Sequence, residues 1–198
     1  MATELWLVRH GETDWNRRGL YQGQEDIPLN ETGLAQARRT AADLAARAGA
    51  GQAFAALYCS PLRRARQTAE ACAAGLGLEV RIDARLREIH QGERQGADYA
   101  EVVARFHEWV RKAPEEGWKE RAPGGESVED VARRMAEAAD DYATAHPGAA
   151  VLVFSHGLAL ATLVCQARGL WLGAVYEHIP GNAGAEVISW PPEVQGAG

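Results

Sequence analysis

The chain has 198 residues, 46% of them hydrophobic and 24% charged, the composition of a soluble globular fold and not of a disordered one. Its formal net charge of -6 excludes a protein whose main partner is nucleic acid or an anionic membrane, because either demands a broadly basic surface. Any cationic cluster has to be local. The length predicts one domain over residues 1–190, with 191–198 as a frayed tail. Cys59, Cys72 and Cys165 fit neither a disulfide framework nor a metal-binding knuckle and are expected as reduced core thiols. No leader-like or bilayer-length apolar run precedes the first element, so the expected location is cytoplasmic.

In chain order, the first apolar run, residues 5–8, predicts a strand. It ends on Arg9 and His10 and turns at Gly11. Strands that stop for structural reasons usually stop on Pro, Asn or Gly, so a cation beside an imidazole at a strand's carboxyl end points to a working site. A helical pattern over 31–48 leads to a second strand at 55–59, broken at Ser60 and Pro61. The next helix, 64–76, opens on Arg63, Arg64 and Arg66, against the helix dipole. A bound anion would offset that arrangement, since guanidinium forks and free helix N–H groups both suit phosphate oxygens. For Arg63 and Arg66 a solvated basic turn is an equal reading.

A third strand at 80–82 precedes "LREIHQGERQG", residues 86–96, where Glu88, His90 and Glu93 surround a glycine. Glu88 supplies the acid the other groups lack, a carboxyl able to hand a proton to a leaving alkoxide. Glu88 and His90 would share a face of an extended segment and could form a metal pair, but nearby arginines repel a cation and no metal is expected. Helical patterns follow at 99–112 and 128–146, the latter opened by Ser127 and Asp130 in a capping arrangement. Between them 113–126 is irregular, with Trp118 expected to pin the loop to the core. The run 151–154 ends in Ser155, His156 and Gly157, and a helix over 158–168 and a strand over 186–190 complete the pattern. His107, His146 and His178 read as surface residues. Alternating strands and helices imply a largely parallel sheet covered on both faces, with ligands at the strands' carboxyl ends. The two matched His-Gly endings can therefore converge.

"LVRHGETDWN", "SPLRRARQTAE", "LREIHQGERQG" and "FSHG", in that order between residues 7 and 157, resemble the histidine phosphatase superfamily, which includes cofactor-dependent phosphoglycerate mutases and many small phosphatases. The resemblance implies a phosphoglycerate mutase-like three-layer α/β/α sandwich with a mostly parallel central sheet. It implies His10 as nucleophile, Arg9, Arg64 and His156 as phosphate-pocket groups, and Glu88 as proton donor, with Asn16, Gln22, Gly23 and Gly157 near phosphate or substrate. The implied reaction is metal-independent hydrolysis of a small phosphorylated metabolite through a phosphohistidine, without cofactor. A phosphoglycerate mutase is the alternative, favoured by "LREIHQG". It is disfavoured by Leu158, which stands where mutases resemble "SHGNS", and by a short segment over 92–126 that still holds Arg111, Lys112, Lys119 and Arg121. A catalytically silent phosphate-binding module is the third reading, and no expected group is missing to support it.

Overall fold

The computed structural model describes residues 1–102, 104 and 117–192. Five strands, β1 (Thr3–Arg9), β2 (Phe54–Cys59), β3 (Val80–Ile82), β4 (Ala150–Ser155) and β5 (Ala185–Trp190), form one sheet in the order β3-β2-β4-β1-β5. All neighbours pair in parallel except β5, which runs antiparallel to β1 at one edge. The helices are α1 (Asp14–Arg17), α2 (Glu31–Gly49), α3 (Arg63–Leu76), α4 (Val128–Ala145) and α5 (Gly157–Ala167).

The period of two along the central strands divides the core into two layers. On β1, Leu5 and Leu7 face one way with Val151 and Val153 of β4, and pack against Met135 of α4 and Leu160 of α5. Trp6, Val8, Leu152 and Phe154 face the other way, against Leu44 of α2 and Ala65, Ala69 and Cys72 of α3. The fold is thus an α/β/α sandwich, and strands buried on both faces explain why their sequences are unbroken apolar runs. All three cysteines are buried thiols. Among the described residues no helix is long and apolar enough to cross a membrane.

Local chemistry sets the helix starts. Asn30 caps α2 by accepting from Gly33 N at 2.8 Å, and Ser127 and Asp130 form the expected reciprocal box at α4, with Ser127 N donating to Asp130 Oδ2 at 2.9 Å. Trp118 packs against the α4/α5 side of the core, as its loop position suggested. Residues 99–102 are helical, but 105–116, which include most of the helix expected over 99–112, and 193–198 of the tail lie outside the described residues. The turns of 3-10 helix over Leu172–His178 were not expected from sequence.

Register brings the strand ends together. Arg9 pairs with Ser155 and Cys59 with Phe154, so β1, β2 and β4 finish level and the chain leaves each at the same edge of the sheet. His10 N continues the ladder by donating to Ser155 O at 3.0 Å.

Candidate active site

At that edge lies a cavity of about 250 Å3 whose walls include Arg9, His10, Asn16, Gln22, Gly23, Arg64, Glu88 and Gly157. Every one of these was singled out from the sequence, and they come from five separate segments of the chain.

His10 is 3% exposed, and its Nδ1 lies 2.6 Å from the carbonyl of Gly11. A carbonyl only accepts, so Nδ1 carries the ring hydrogen and Nε2 keeps its lone pair. That lone pair accepts from Arg64 Nε at 3.3 Å. Burial, then the charges of Arg64 and Arg9, push the imidazole well below its ordinary pKa, against the pull of the Gly11 bond. The ring is neutral. The turn behind it is tight because a Cβ on Gly11 would sit 2.6 Å from Gly33 O, so only glycine lets the chain pass the start of α2. Gly11 N also donates to Thr68 Oγ at 3.1 Å, while Thr68 Oγ donates to Arg64 O at 2.8 Å, tying the turn to α3. From the other side Ala183 N and Asn182 Nδ2 donate to His10 O at 3.1 and 3.2 Å.

Arg64 is wholly buried in the first turn of α3, and among the described residues no carboxylate is bonded to it. Its Nη1 and Nη2 donate to the carbonyls of Glu25 and Gly23 at 2.7 and 2.8 Å. Burial pulls its pKa down to about 10, with Glu88 and Asp26 opposing. Arg9 is lowered by burial too, and its Nη1 donates to Pro180 O at 2.7 Å. A Cβ on Gly157 would lie 3.3 Å from Arg9 Cζ and 2.9 Å from Ile179 Cγ2, so the second His-Gly ending leaves room for the guanidinium of the first.

His156 is fully buried as the N-cap residue of α5, with its ring centre 5.2 Å from that of His10. Nε2 shares a 2.8 Å hydrogen bond with Ser60 Oγ. Burial first, then Arg64 and His10, hold this imidazole neutral as well. His156 is not among the residues walling the cavity; it stands behind them. Two buried side-chain atoms lack any hydrogen-bond partner among the described residues, Arg9 Nε and His156 Nδ1.

Glu88 sits over the start of α5. Its Oε1 accepts from Ile89 N and Ala159 N at 2.9 and 3.1 Å, and its Oε2 from Leu158 N at 3.1 Å. The helix N-terminus holds the carboxylate by its free N–H groups and dipole. Asn16 accepts at Oδ1 from Thr13 N and Asn182 Nδ2, both at 3.2 Å, and Gln22 accepts at Oε1 from Thr13 Oγ at 2.9 Å, which leaves both amide nitrogens for the cavity.

Other candidates lie elsewhere. His90 points its Nδ1 at Gly92 N, 3.0 Å away, and is absent from the cavity wall, so it makes no pair with Glu88. Among the described residues no three His, Cys, Asp or Glu side chains cluster to hold a metal. Arg63 and Arg66 line a separate surface hollow, where Arg66 pairs with Glu70 at 3.2 Å. His146 is half-buried against Tyr58 Oη at 3.1 Å, not simply a surface group, and His178 lies in the 3-10 turns. His107, Arg111 and Lys112 lie outside the described residues.

The most important residue that sequence reasoning missed is Arg134 on α4. Its guanidinium donates to the carbonyls of Arg85, Arg87 and Glu88 at 2.5, 2.6 and 3.1 Å, and to both oxygens of Glu126 at 2.9 Å each. Glu126 Oε2 in turn accepts from His90 N at 2.9 Å. The backbone carrying Glu88 is therefore clamped. In the sequence Arg134 looks like any helix arginine.

The model of the histidine phosphatase superfamily (branch 1) matches residues 5–195. A probable phosphoglycerate mutase of Photorhabdus laumondii is 36% identical over 167 residues, which cover 84% of this chain and 75% of the relative. The solved structure of a mycobacterial glucosyl-3-phosphoglycerate phosphatase with VO3 is similar at a TM-score of 0.81 and 33% identity, covering 93% of this chain and 90% of that one. A phosphoserine phosphatase mutant of Entamoeba histolytica with phosphoserine reaches 0.80 at 26% identity, covering 93% and 89%.

Proposed function

Because this chain belongs to the histidine phosphatase superfamily, we propose that it is a metal-independent phosphomonoesterase that hydrolyses a small phosphorylated metabolite through a phosphohistidine at His10. The observation that carries the reading is the charge of the cavity. One buried guanidinium, Arg64, and one half-buried, Arg9, face one carboxylate while both imidazoles are neutral, which leaves a net positive site whose Arg9 Nε has no partner among the described residues, built for a dianion.

In the first step Arg64 Nε turns from His10 to a phosphoryl oxygen, which frees the Nε2 lone pair. Nε2 attacks phosphorus in line, the N–P bond forms, and the ester P–O bond breaks with its electron pair going to the alcohol oxygen. Arg9 and Arg64 balance the charge on the equatorial oxygens, and His156, neutral, offers them a hydrogen bond. If Ser60 Oγ–H donates to His156 Nε2, the ring hydrogen sits on Nδ1, and that unpartnered atom becomes a donor. Glu88 takes up a proton from solvent as the phosphoryl dianion enters beside it and passes that proton to the departing oxygen. Its Oε1 already takes two N–H donors and Oε2 only one, so Oε2 has the lone pair that carries the proton. In the second step Glu88 takes a proton from water, whose oxygen displaces His10 and releases phosphate.

The mutase alternative draws support from the relative named a probable phosphoglycerate mutase. Against it, Leu158 lines the cavity where an amide would grip a substrate that has to stay while the phosphoryl group leaves and returns. One experiment separates the readings. A panel of phosphomonoesters, with 3-phosphoglycerate plus a trace of 2,3-bisphosphoglycerate in one arm, is assayed for released phosphate and for isomer, alongside acid-free trapping of labelled protein. Phosphate release from at least one ester, little isomer, and acid-labile label lost in His10→Ala are expected. Rapid isomerisation without phosphate release makes it a mutase, and no turnover in any arm makes it a binding module.

A further inference from the structure

The outer half of the cavity is built from different material. Tyr21, Tyr99 and Tyr176 line it, together with Leu158 and Ile179, which lie beside Glu88 and Arg9. The Tyr21 and Tyr99 ring centres are 5.1 Å apart, and Tyr99 and Tyr176 are 50% and 56% exposed. Large aromatic faces left open beside a polar pocket are unusual on a soluble protein and mark a place where something docks. The strips that carry two of them are fixed in advance: Tyr21 N donates to Ala97 O at 3.0 Å, Gly96 N to Tyr21 O at 2.8 Å, and Tyr99 N to Gly19 O at 2.8 Å. The hydroxyls are near enough to influence one another, since burial and then Tyr99 and Tyr176 push the Tyr21 phenol well above its ordinary pKa.

The charged side chains among the described residues of this wall are Arg9, Arg64 and Glu88, and the charge of Arg94 reaches the Tyr21 and Tyr176 phenols and pulls both down against burial. The wall also carries the amides of Asn16, Gln22 and Gln91.

We propose that the three tyrosines form the leaving-group site, and that the substrate is the phosphate ester of a ring-bearing alcohol. The ring lies against the tyrosine faces and the amides serve hydroxyls on its edge. This rests on the phosphatase reading above, which fixes where the phosphoryl group sits.

Phosphonates test it without turnover. Binding of inorganic phosphate, methylphosphonate, phenylphosphonate and 3-phosphonopropionate to the whole protein is measured by calorimetry, and hexose 6-phosphate and 3-phosphoglycerate are compared as substrates. Phenylphosphonate should bind roughly tenfold more tightly than the methyl compound or the ringless acid. In the Tyr99→Ser/Tyr176→Ser double variant the phenyl-to-methyl ratio should fall close to one, and the loss on hexose 6-phosphate should appear in KM more than in kcat. The Tyr99→Phe/Tyr176→Phe variant should keep the ratio. Equal or tighter binding of 3-phosphonopropionate, or a ratio unmoved by the serine variant, overturns the proposal while leaving the phosphatase reading standing. If phosphate and all three phosphonates fail to bind, both fall together.

Discussion

The tautomer of His10 and the position of Glu88 are both set by backbone groups. The Gly11 carbonyl fixes the His10 tautomer, and three main-chain N–H groups fix Glu88. This shapes what substitution at Glu88 does. A glutamine keeps the Oε1 position but brings an NH2 against Leu158 N–H, so one bond is lost along with the charge over the helix start, worth about 1 kcal/mol of stability. The chemical loss is larger and depends on the leaving group. Glu88→Gln should reduce kcat/KM on an alkyl phosphate by about 10² to 10⁴, and on p-nitrophenyl phosphate, whose phenolate leaves unaided, by far less. Equal losses on both esters remove Glu88 from the role of proton donor. The residues themselves were readable because Arg9, His10, Arg64, Glu88 and His156 break local design rules: cations at a helix start, imidazoles at strand ends. Arg134, Ser60 and Asn182 break none, since their work is to hold backbone, and no pattern in a single chain records which carbonyl an arginine will find.

The elements matter as carriers of such bonds. α4 contributes no residue to the cavity wall, yet through Arg134 it grips the carbonyls of Arg85, Arg87 and Glu88 and the Glu126 carboxylate, which burial alone would push up but which the arginine holds below its ordinary pKa. Arg134 is a positioning residue. Arg134→Ala should let the segment move by a fraction of a bond length or more, costing between about 10- and 100-fold in kcat on alkyl phosphates. p-Nitrophenyl phosphate should lose little, because it does not need the proton that Glu88 delivers. A role confined to stability would lower both equally at temperatures where the variant is folded. Lysine at this position should restore little, since a point charge cannot span the carbonyls and the carboxylate. Strand and helix positions were predicted closely because the central strands β1, β2 and β4 are apolar runs and α2, α3 and α4 are amphipathic. The antiparallel direction of β5 was not, because its sequence reads the same either way.

For the molecule as a whole, burying two neutral imidazoles makes stability depend on pH. Both His10 and His156 have pKa values well below the ordinary one when folded, and return to about 6.5 when unfolded. The unfolded chain therefore binds more protons than the folded one below that value. The contribution is intact above about pH 6.5 and is lost as pH falls toward the folded values, by up to about 1.4 kcal/mol per histidine between about pH 7.5 and 5.5. Urea midpoints measured at the two pH values should show this drop, and His156→Gln should shrink the difference by about half. An unchanged difference would mean that the imidazole already charges in the folded state.

The sheet order also sets a timetable. β1, with Arg9 and His10 at its end, is a central strand, yet both its partners, β4 and β5, begin only at Ala150 and Ala185. At about 5–20 residues per second of synthesis, the first strand leaves the ribosome and waits roughly ten to thirty seconds for a neighbour. Throughout that interval an apolar strand with two free edges is the chain's greatest hazard for sticking to other chains. The same delay means that the proposed nucleophile, His10, is made early and completed late. A nascent or prematurely ended chain carries His10 but not the α5 start that holds Glu88, so it has no means of running the reaction before the sheet closes.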